Sequence, residues 1–225
     1  MILHTTSGSS DSSLERTKRQ PRLRGWRFVV WALAAAAVLA IVVRATLVDF
    51  YYIGSGSMRP LLQEGDGLLV SRIAYGPEPV RRGDVVVFDG RGSLLAYGRD
   101  NPVEATLRAL RVAGDDTVFV KRVVAVGGDT LSCCDDDGAL VLNGVPLDEA
   151  YLAPGESPSG QAFSVTVPKG RLWVMGDHRS DSTDSRALLG APGGGMIPED
   201  RVIGRVEYIV WPPERSGPLQ REGIK

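Results

Sequence analysis

Residues 28–43 carry no charge and little besides alanine, valine, leucine and isoleucine, and no other apolar run approaches that length. In helical form such a run rises about 24 Å, short of a hydrocarbon core of about 30 Å. Extension to Val48 supplies the missing length, provided Arg44 reaches back to the headgroups. The pattern therefore predicts a membrane-spanning helix over residues 26–48. Trp26 and Trp31 near one end, and Phe50, Tyr51 and Tyr52 near the other, suit the two interfacial belts. Two other readings compete. A buried helix of a soluble protein is seldom so uniformly apolar, and the apolar core of a cleaved signal peptide usually runs only about 7–15 residues. Cleavage near Ala45 would free the rest of the chain.

Beyond residue 48 the period shortens. Gly67-Leu68-Leu69-Val70 and Asp84-Val85-Val86-Val87-Phe88 are short, apolar and bounded by Gly, Pro and charged residues, which are strand signals. Residues 89–116 are polar and turn-rich, with a bend at Asn101-Pro102 and a short helix expected over 104–112. Residues 117–126 read as a buried strand ending in the turn Gly127-Gly128-Asp129. Residues 130–170 read as an inserted β subdomain, with a hairpin over 138–147 turning at Asn143-Gly144. Strands return at 164–167 and 172–175, and a last one at 205–211 precedes Pro212-Pro213. Residues 212–225 are expected to fray as a C-terminal tail.

Composition adds a charge asymmetry to this outline. At 43% hydrophobic and 24% charged, the 225-residue chain has the make-up of one folded domain with appendages. The net charge of -1 conceals six basic residues before residue 28 (Arg16, Lys18, Arg19, Arg22, Arg24, Arg27) against Asp11 and Glu15. Residues 1–25 are thus expected to be a disordered basic tail. A basic tail ahead of an apolar span argues for a cytoplasmic N-terminus more than for nucleic-acid binding, so residues 49–211 would lie outside the cytoplasm. The two cysteines, Cys133 and Cys134, are adjacent. Across a trans peptide their Cα atoms would be about 3.8 Å apart, too close for an unstrained disulfide. They lack the intervening residues of a zinc pair, and their redox state stays open. Asp135-Asp136-Asp137 lacks the spacing of a calcium loop and reads as a solvated turn. No metal and no cofactor is expected.

The candidate chemistry begins at Gly54-Ser55-Gly56-Ser57-Met58-Arg59-Pro60, a turn able to present the Ser57 hydroxyl. By itself the run is weak evidence of anything, because Gly/Ser turns are common. A serine needs a base to act as a nucleophile. His4 lies in the leader, across the apolar segment, and His178 is the remaining histidine. The competing base is Lys121, inside the apolar strand 117–126, where desolvation would lower its pKa. Ser-Lys variants of the serine triad use such a lysine. The plainer alternative is a half-exposed strand whose lysine points to solvent.

Four stretches occur in order: Ser55-Gly56-Ser57-Met58-Arg59-Pro60, Arg82-Gly83-Asp84-Val85-Val86-Val87-Phe88, Val120-Lys121-Arg122-Val123-Val124, and Gly176-Asp177-His178-Arg179-Ser180-Asp181-Ser182-Thr183-Asp184-Ser185-Arg186. Together they resemble the soluble boxes of bacterial type I signal peptidase, the leader peptidase, over about residues 53–211. The resemblance implies a mainly β fold, akin to that of self-cleaving repressors, with an inserted β subdomain behind one transmembrane helix. It implies a membrane-anchored serine endopeptidase that removes signal peptides after small residues. Ser57 would be the nucleophile and neutral Lys121 the general base, oriented by the Ser182 hydroxyl. The Ser55 hydroxyl and the Ser57 N–H would form the oxyanion hole. Ile53, Met58, Leu62, Phe119 and Val120 would line the pocket for the residue before the cut. Asp177 would pair with Arg122 and Asp184 with Arg186, with Arg179 as further support. His178 departs from the asparagine common at that position, as does Ala187-Leu188 from the usual sequence after Arg186. The implied partners are signal peptides of secretory preproteins, the lipid bilayer and, nearby, the secretion translocon, but no nucleic acid.

Three other readings remain at this point. A self-cleaving repressor shares the Ser-Lys core but is a soluble DNA-associated protein, which the apolar span disfavours. A processing protease dedicated to one secreted substrate would carry the same residues. An inactive membrane-tethered binding module would not need Ser57, Lys121 and Ser182 together.

Overall fold

The computed structural model describes residues 23–76, 78–95, 117–221 and 223–224. Most of the basic tail and the helix expected over 104–112 lie outside the described residues.

Helix α1 (Leu23–Thr46) contains Gly25–Val43, a segment long and apolar enough to cross a membrane, and none of that segment is buried in protein. The helix stops at Thr46, two residues before the end expected for the span. Leu47 donates its N–H to Val43 O, and Val48 already belongs to strand β1 (Val48–Tyr52). The reason lies in the residues themselves. Val-Asp-Phe-Tyr-Tyr is β-branched and aromatic, and it pairs with β2 (Gly67–Ser71) from Val48↔Ser71 to Tyr52↔Gly67. Phe50, Tyr51 and Tyr52, expected in an interfacial belt, are thus strand residues.

The remaining strands are β3 (Val85–Asp89), β4 (Val118–Val126), β5 (Thr130–Cys133), β6 (Leu140–Leu142), β7 (Val145–Pro146), β8 (Phe163–Thr166), β9 (Arg171–Met175), β10 (Ile197–Pro198), β11 (Val202–Trp211) and β12 (Gly217–Pro218). Among the described residues they form two antiparallel sheets. The larger runs β1-β2-β11-β3-β4-β9-β10, with β12 added to β11, and the smaller runs β7-β6-β5-β8. The fold is mainly β, as expected. The smaller sheet is drawn wholly from residues 130–166. Its β6–β7 turn uses Asn143 and Gly144, both at positive φ, the conformation that a two-residue hairpin of matching twist requires.

Strand β4 is central to the larger sheet. Its inner residues are buried on both faces, as a near-continuous apolar run suggests, so Lys121 and Arg122 are enclosed rather than half-exposed. Val86 lies opposite Lys121, and Val85 and Met175 flank Arg122. The core divides around this strand. One cluster joins Met58, Leu62, Val70 and Val87; another joins Val86, Phe88, Val123 and Val174; a third joins Leu131, Leu140, Phe163 and Trp173 beneath the smaller sheet. The Phe163 and Trp173 rings stack at 5.2 Å.

Two further expectations change. The described residues after Trp211 are held to the fold. β12 pairs with β11, Arg215 meets the buried Asp66 at 2.9 Å, Arg221 meets the fully buried Asp84 at 2.6 Å, and Ile224 enters the core. Buried carboxylates need compensating charge, and this segment supplies it. Cys133 and Cys134 are joined as a disulfide, across a cis peptide rather than the trans one assumed from sequence.

Arg215→Ala and Arg221→Ala should each cost about 1–3 kcal/mol, since each leaves a buried carboxylate short of its guanidinium. Thermal melts of the detergent-solubilised variants check this. Melting temperatures equal to that of the parent would mean the segment is only laid against the fold.

Candidate active site

Ser57 lies in the connection between β1 and β2. Bonds from Ile53 N–H to Asp66 O (2.9 Å) and from Gly65 N–H to Ile53 O (2.8 Å) close the neck of this loop. Met58 and Leu62, both buried, anchor its inner side in the core. The Ser57 hydroxyl is thereby held 2.5 Å from Lys121 Nζ, and the Ser55 hydroxyl lies 3.3 Å from it. Ser55 itself is exposed.

Lys121 is 4% exposed. Burial pulls its amine down to about 8, against the opposing pull of Asp184, Asp177 and Asp181, with Arg186 adding to the depression. A fair share of Lys121 is then neutral near pH 8, which a solvent-exposed lysine does not achieve.

The nearby carboxylates are themselves tied to arginines. Arg122 grips Asp177 in bidentate fashion (2.8 and 2.6 Å), both side chains 1% exposed, and also reaches Gly83 O. Arg186 grips Asp184 at 2.9 and 2.8 Å. Burial raises Asp177, and the bonds from Arg122 do not fully offset it. At Asp184 burial is outweighed by the bonds from Arg186 and from Gly176 N–H, which hold that carboxyl below the usual range. Arg179 pairs with Glu149 and donates to Gly176 O and Pro158 O.

The Ser182 hydroxyl is buried beside the Asp184 carboxylate but outside hydrogen-bond geometry, and it makes no bond to Lys121. It does lie close to the loop that carries Ser57. A Cβ placed on Gly176 would come within 2.3 Å of Ser182 Oγ and 2.4 Å of Ser57 O. Only glycine lets the end of β9 pass there.

A groove of about 400 Å³ opens beside the Ser57–Lys121 pair. Tyr52, Ile53, Gly54, Ser55, Ser57, Met58, Val118, Phe119, Val120 and Lys121 line it. Four of the five expected pocket residues are among them. Leu62 is not, being fully buried in the core with Met58. Tyr52, Gly54 and Val118 join the lining without having been foreseen. Sequence reasoning also missed Glu149 and Tyr151, the latter with its ring 4.1 Å from the Arg122 guanidinium. Both come from the insert after β7, and no spacing signal links them to the four boxes.

The profile of the family described as Signal peptidase, peptidase S26, matches residues 26–211. The chain belongs to this signal peptidase family. Similar proteins include a signal peptidase I of Mycobacterium tuberculosis, 40% identical across 82% of this chain and 73% of that one. A probable signal peptidase I of Mycobacterium leprae is 37% identical across 85% and 79%. Signal peptidase I T of Bacillus subtilis is 30% identical across 87% and 92%. As a member of this family of serine proteases, the chain is a peptidase.

Enclosing Lys121 has a price in stability with a definite pH sign. The folded state binds this proton less tightly than the unfolded state, where the value is 10.5. Stability should therefore rise with pH between about 8 and 10.5, and the full penalty, about 3 kcal/mol, applies below that window. Lys121→Met, which keeps the stem and removes the amine, should melt higher than the parent at pH 6–7. The gain should vanish above pH 10.5. A variant melting lower at pH 6 would show that the amine is not an electrostatic burden.

Proposed function

We propose that this chain is a membrane-anchored serine endopeptidase that removes signal peptides from secretory preproteins after small residues, with Ser57 as nucleophile and neutral Lys121 as general base. The observation that carries the mechanism is the 2.5 Å approach of a buried, pKa-depressed amine to a serine hydroxyl in a member of the signal peptidase family.

Lys121 takes the proton of Ser57 as Oγ attacks the scissile carbonyl, then passes it to the leaving amine. Water repeats the sequence on the acyl-enzyme, with Lys121 again the base. The Ser57 N–H and the Ser55 hydroxyl receive the developing oxyanion, and such a donor is typically worth about 10²–10³ in rate. The family resemblance assigns Ser182 to orient the Lys121 amine, for which its buried hydroxyl would have to turn towards that amine. The arginine pairs with Asp177, Asp184 and Glu149 hold the surrounding loops.

The groove accounts for the choice of residue before the cut. Ile53, Met58, Phe119 and Val120 give the groove an apolar wall against which the small side chain of alanine, glycine or serine would rest. An extended substrate alongside the groove would bond backbone to backbone. Helix α1 anchors the enzyme, with the basic tail in the cytoplasm and the β domain on the other side, where signal peptides leave the translocon and meet the bilayer.

Detergent-solubilised protein incubated with a secretory precursor should cleave it, and Ser57→Ala should lose at least about 10³-fold in rate. Lys121→Arg should be nearly as inactive, because a guanidinium stays protonated. The parent's rate should climb with pH through about 8, the value of the buried amine. Normal cleavage by Lys121→Arg would remove lysine from the mechanism.

A precursor with phenylalanine in place of alanine before the cut should remain uncleaved by the same preparation. Efficient processing of that substrate would mean that the groove does not hold this residue.

A further inference from the structure

His178 touches the nucleophile loop at two points on either side of Ser57. Its backbone N–H donates to Ser57 O at 3.1 Å. Its ring Nδ1 lies 3.3 Å from Gly56 O. A carbonyl oxygen only accepts, so Nδ1 carries the proton in this contact. On the far side of the ring, Nε2 lies 3.5 Å from Glu156 Oε1. Glu156 is in turn fixed by the Ser180 N–H (3.0 Å) and hydroxyl (2.8 Å). The imidazole thus sits between a loop of the insert and the loop that carries Ser57.

The contact with Gly56 bears on the chemistry because of peptide geometry. The Gly56 carbonyl and the Ser57 N–H belong to one planar trans peptide and point in opposite directions. Whatever fixes the carbonyl fixes the N–H. Gly56 O already accepts from Arg59 N–H at 3.0 Å, but that bond lies within the loop and turns with it. His178 is the group that ties this peptide plane to another part of the fold. Asp181 Oδ2, 3.8 Å from Nδ1, is mostly exposed and offers a weaker competing contact.

We propose that His178 is a positioning residue: its Nδ1–H aims the Gly56–Ser57 peptide so that the Ser57 N–H points at the oxyanion formed during cleavage. This rests on Ser57 being the nucleophile. His178 takes no proton from substrate in this role, so its loss should slow the reaction far less than the loss of Lys121. The donor remains present and is only misaimed, which should cost less than its removal, about tenfold instead of 10²–10³.

Two amides separate the ring nitrogens. The asparagine amide nitrogen overlays Nδ1, whereas that of glutamine overlays Nε2. Cleavage of a precursor should be followed for the parent, His178→Ala, His178→Gln and His178→Asn, with Ser57→Ala as reference and a thermal melt for each. The Ala and Gln variants should lose about tenfold in kcat with KM within about twofold, and Asn should recover kcat to within about threefold. Unchanged kcat in Ala overturns the proposal, as does rescue by Gln rather than Asn, or a loss that tracks melting temperature across all three. If Ala does not fold, the comparison of Asn with Gln decides. Cleavage by Ser57→Ala has a separate signature: it removes the nucleophile, and the role of His178 with it.

Discussion

The proposed mechanism depends on keeping an amine neutral among carboxylates. Burial lowers Lys121, yet Asp184, Asp177 and Asp181 all act to restore its charge. Free, the first two of these buried anions would pull the lysine back towards its ordinary value and turn the base into an ion-pair partner. Pairing each with an arginine cancels much of that field. Arg122 takes Asp177, Arg186 takes Asp184, and Arg186 also pushes directly on the lysine. Buried ion pairs of this kind add little net stability, although losing one partner costs several kcal/mol. Their value here is electrostatic insulation as much as support.

The same pairs bring distant parts of the chain together. Arg122 follows Lys121 directly in β4, so the strand that places the proposed base also places the guanidinium for Asp177 and Gly83 O. Asp177 and His178 follow Gly176, whose missing side chain lets β9 approach the Ser57 backbone. The site thus consists of adjacent residues with opposite duties. In β4 one is the proposed base and its neighbour a clamp. At the end of β9 one admits the loop, the next is clamped, and the third holds the loop.

The main strands, and the enclosure of Lys121 within one of them, were legible in the chain because both obey local rules. An apolar run interrupted only by Lys121-Arg122 marks a strand that must enclose those charges, and burial on both faces of β4 follows from that pattern. What stayed hidden depends on partners far along the chain. β1 was read only as a membrane boundary because aromatic residues serve a boundary and a strand equally well, and its pairing with β2, further along the chain, is what adds the strand. Pro212-Pro213 signalled an end to the fold, but proline constrains backbone and says nothing of Arg215 and Arg221 reaching Asp66 and Asp84. Leu62 matched a pocket pattern, although its spacing of four from Met58 equally suits a turn anchored in the core, where it sits. Glu149 and Tyr151 carry no sign of Arg179 or Arg122 in their own neighbourhood.

Rigidity is distributed to match these duties. The loop bearing Ser57 has its neck closed by backbone bonds and its inner face pinned by Met58 and Leu62, yet Ser55 stays exposed at the rim of the groove. A nucleophile can be held tightly because only its hydroxyl proton must move. A donor that meets an oxyanion must instead be aimed before substrate arrives, since reorienting a peptide during the reaction would add to the barrier. On the proposed mechanism, that requirement explains why the peptide ahead of Ser57 is braced by His178. A turn closed only upon itself can rotate as a unit, whereas one tied to His178, just beyond the end of β9, cannot rotate without breaking that tie.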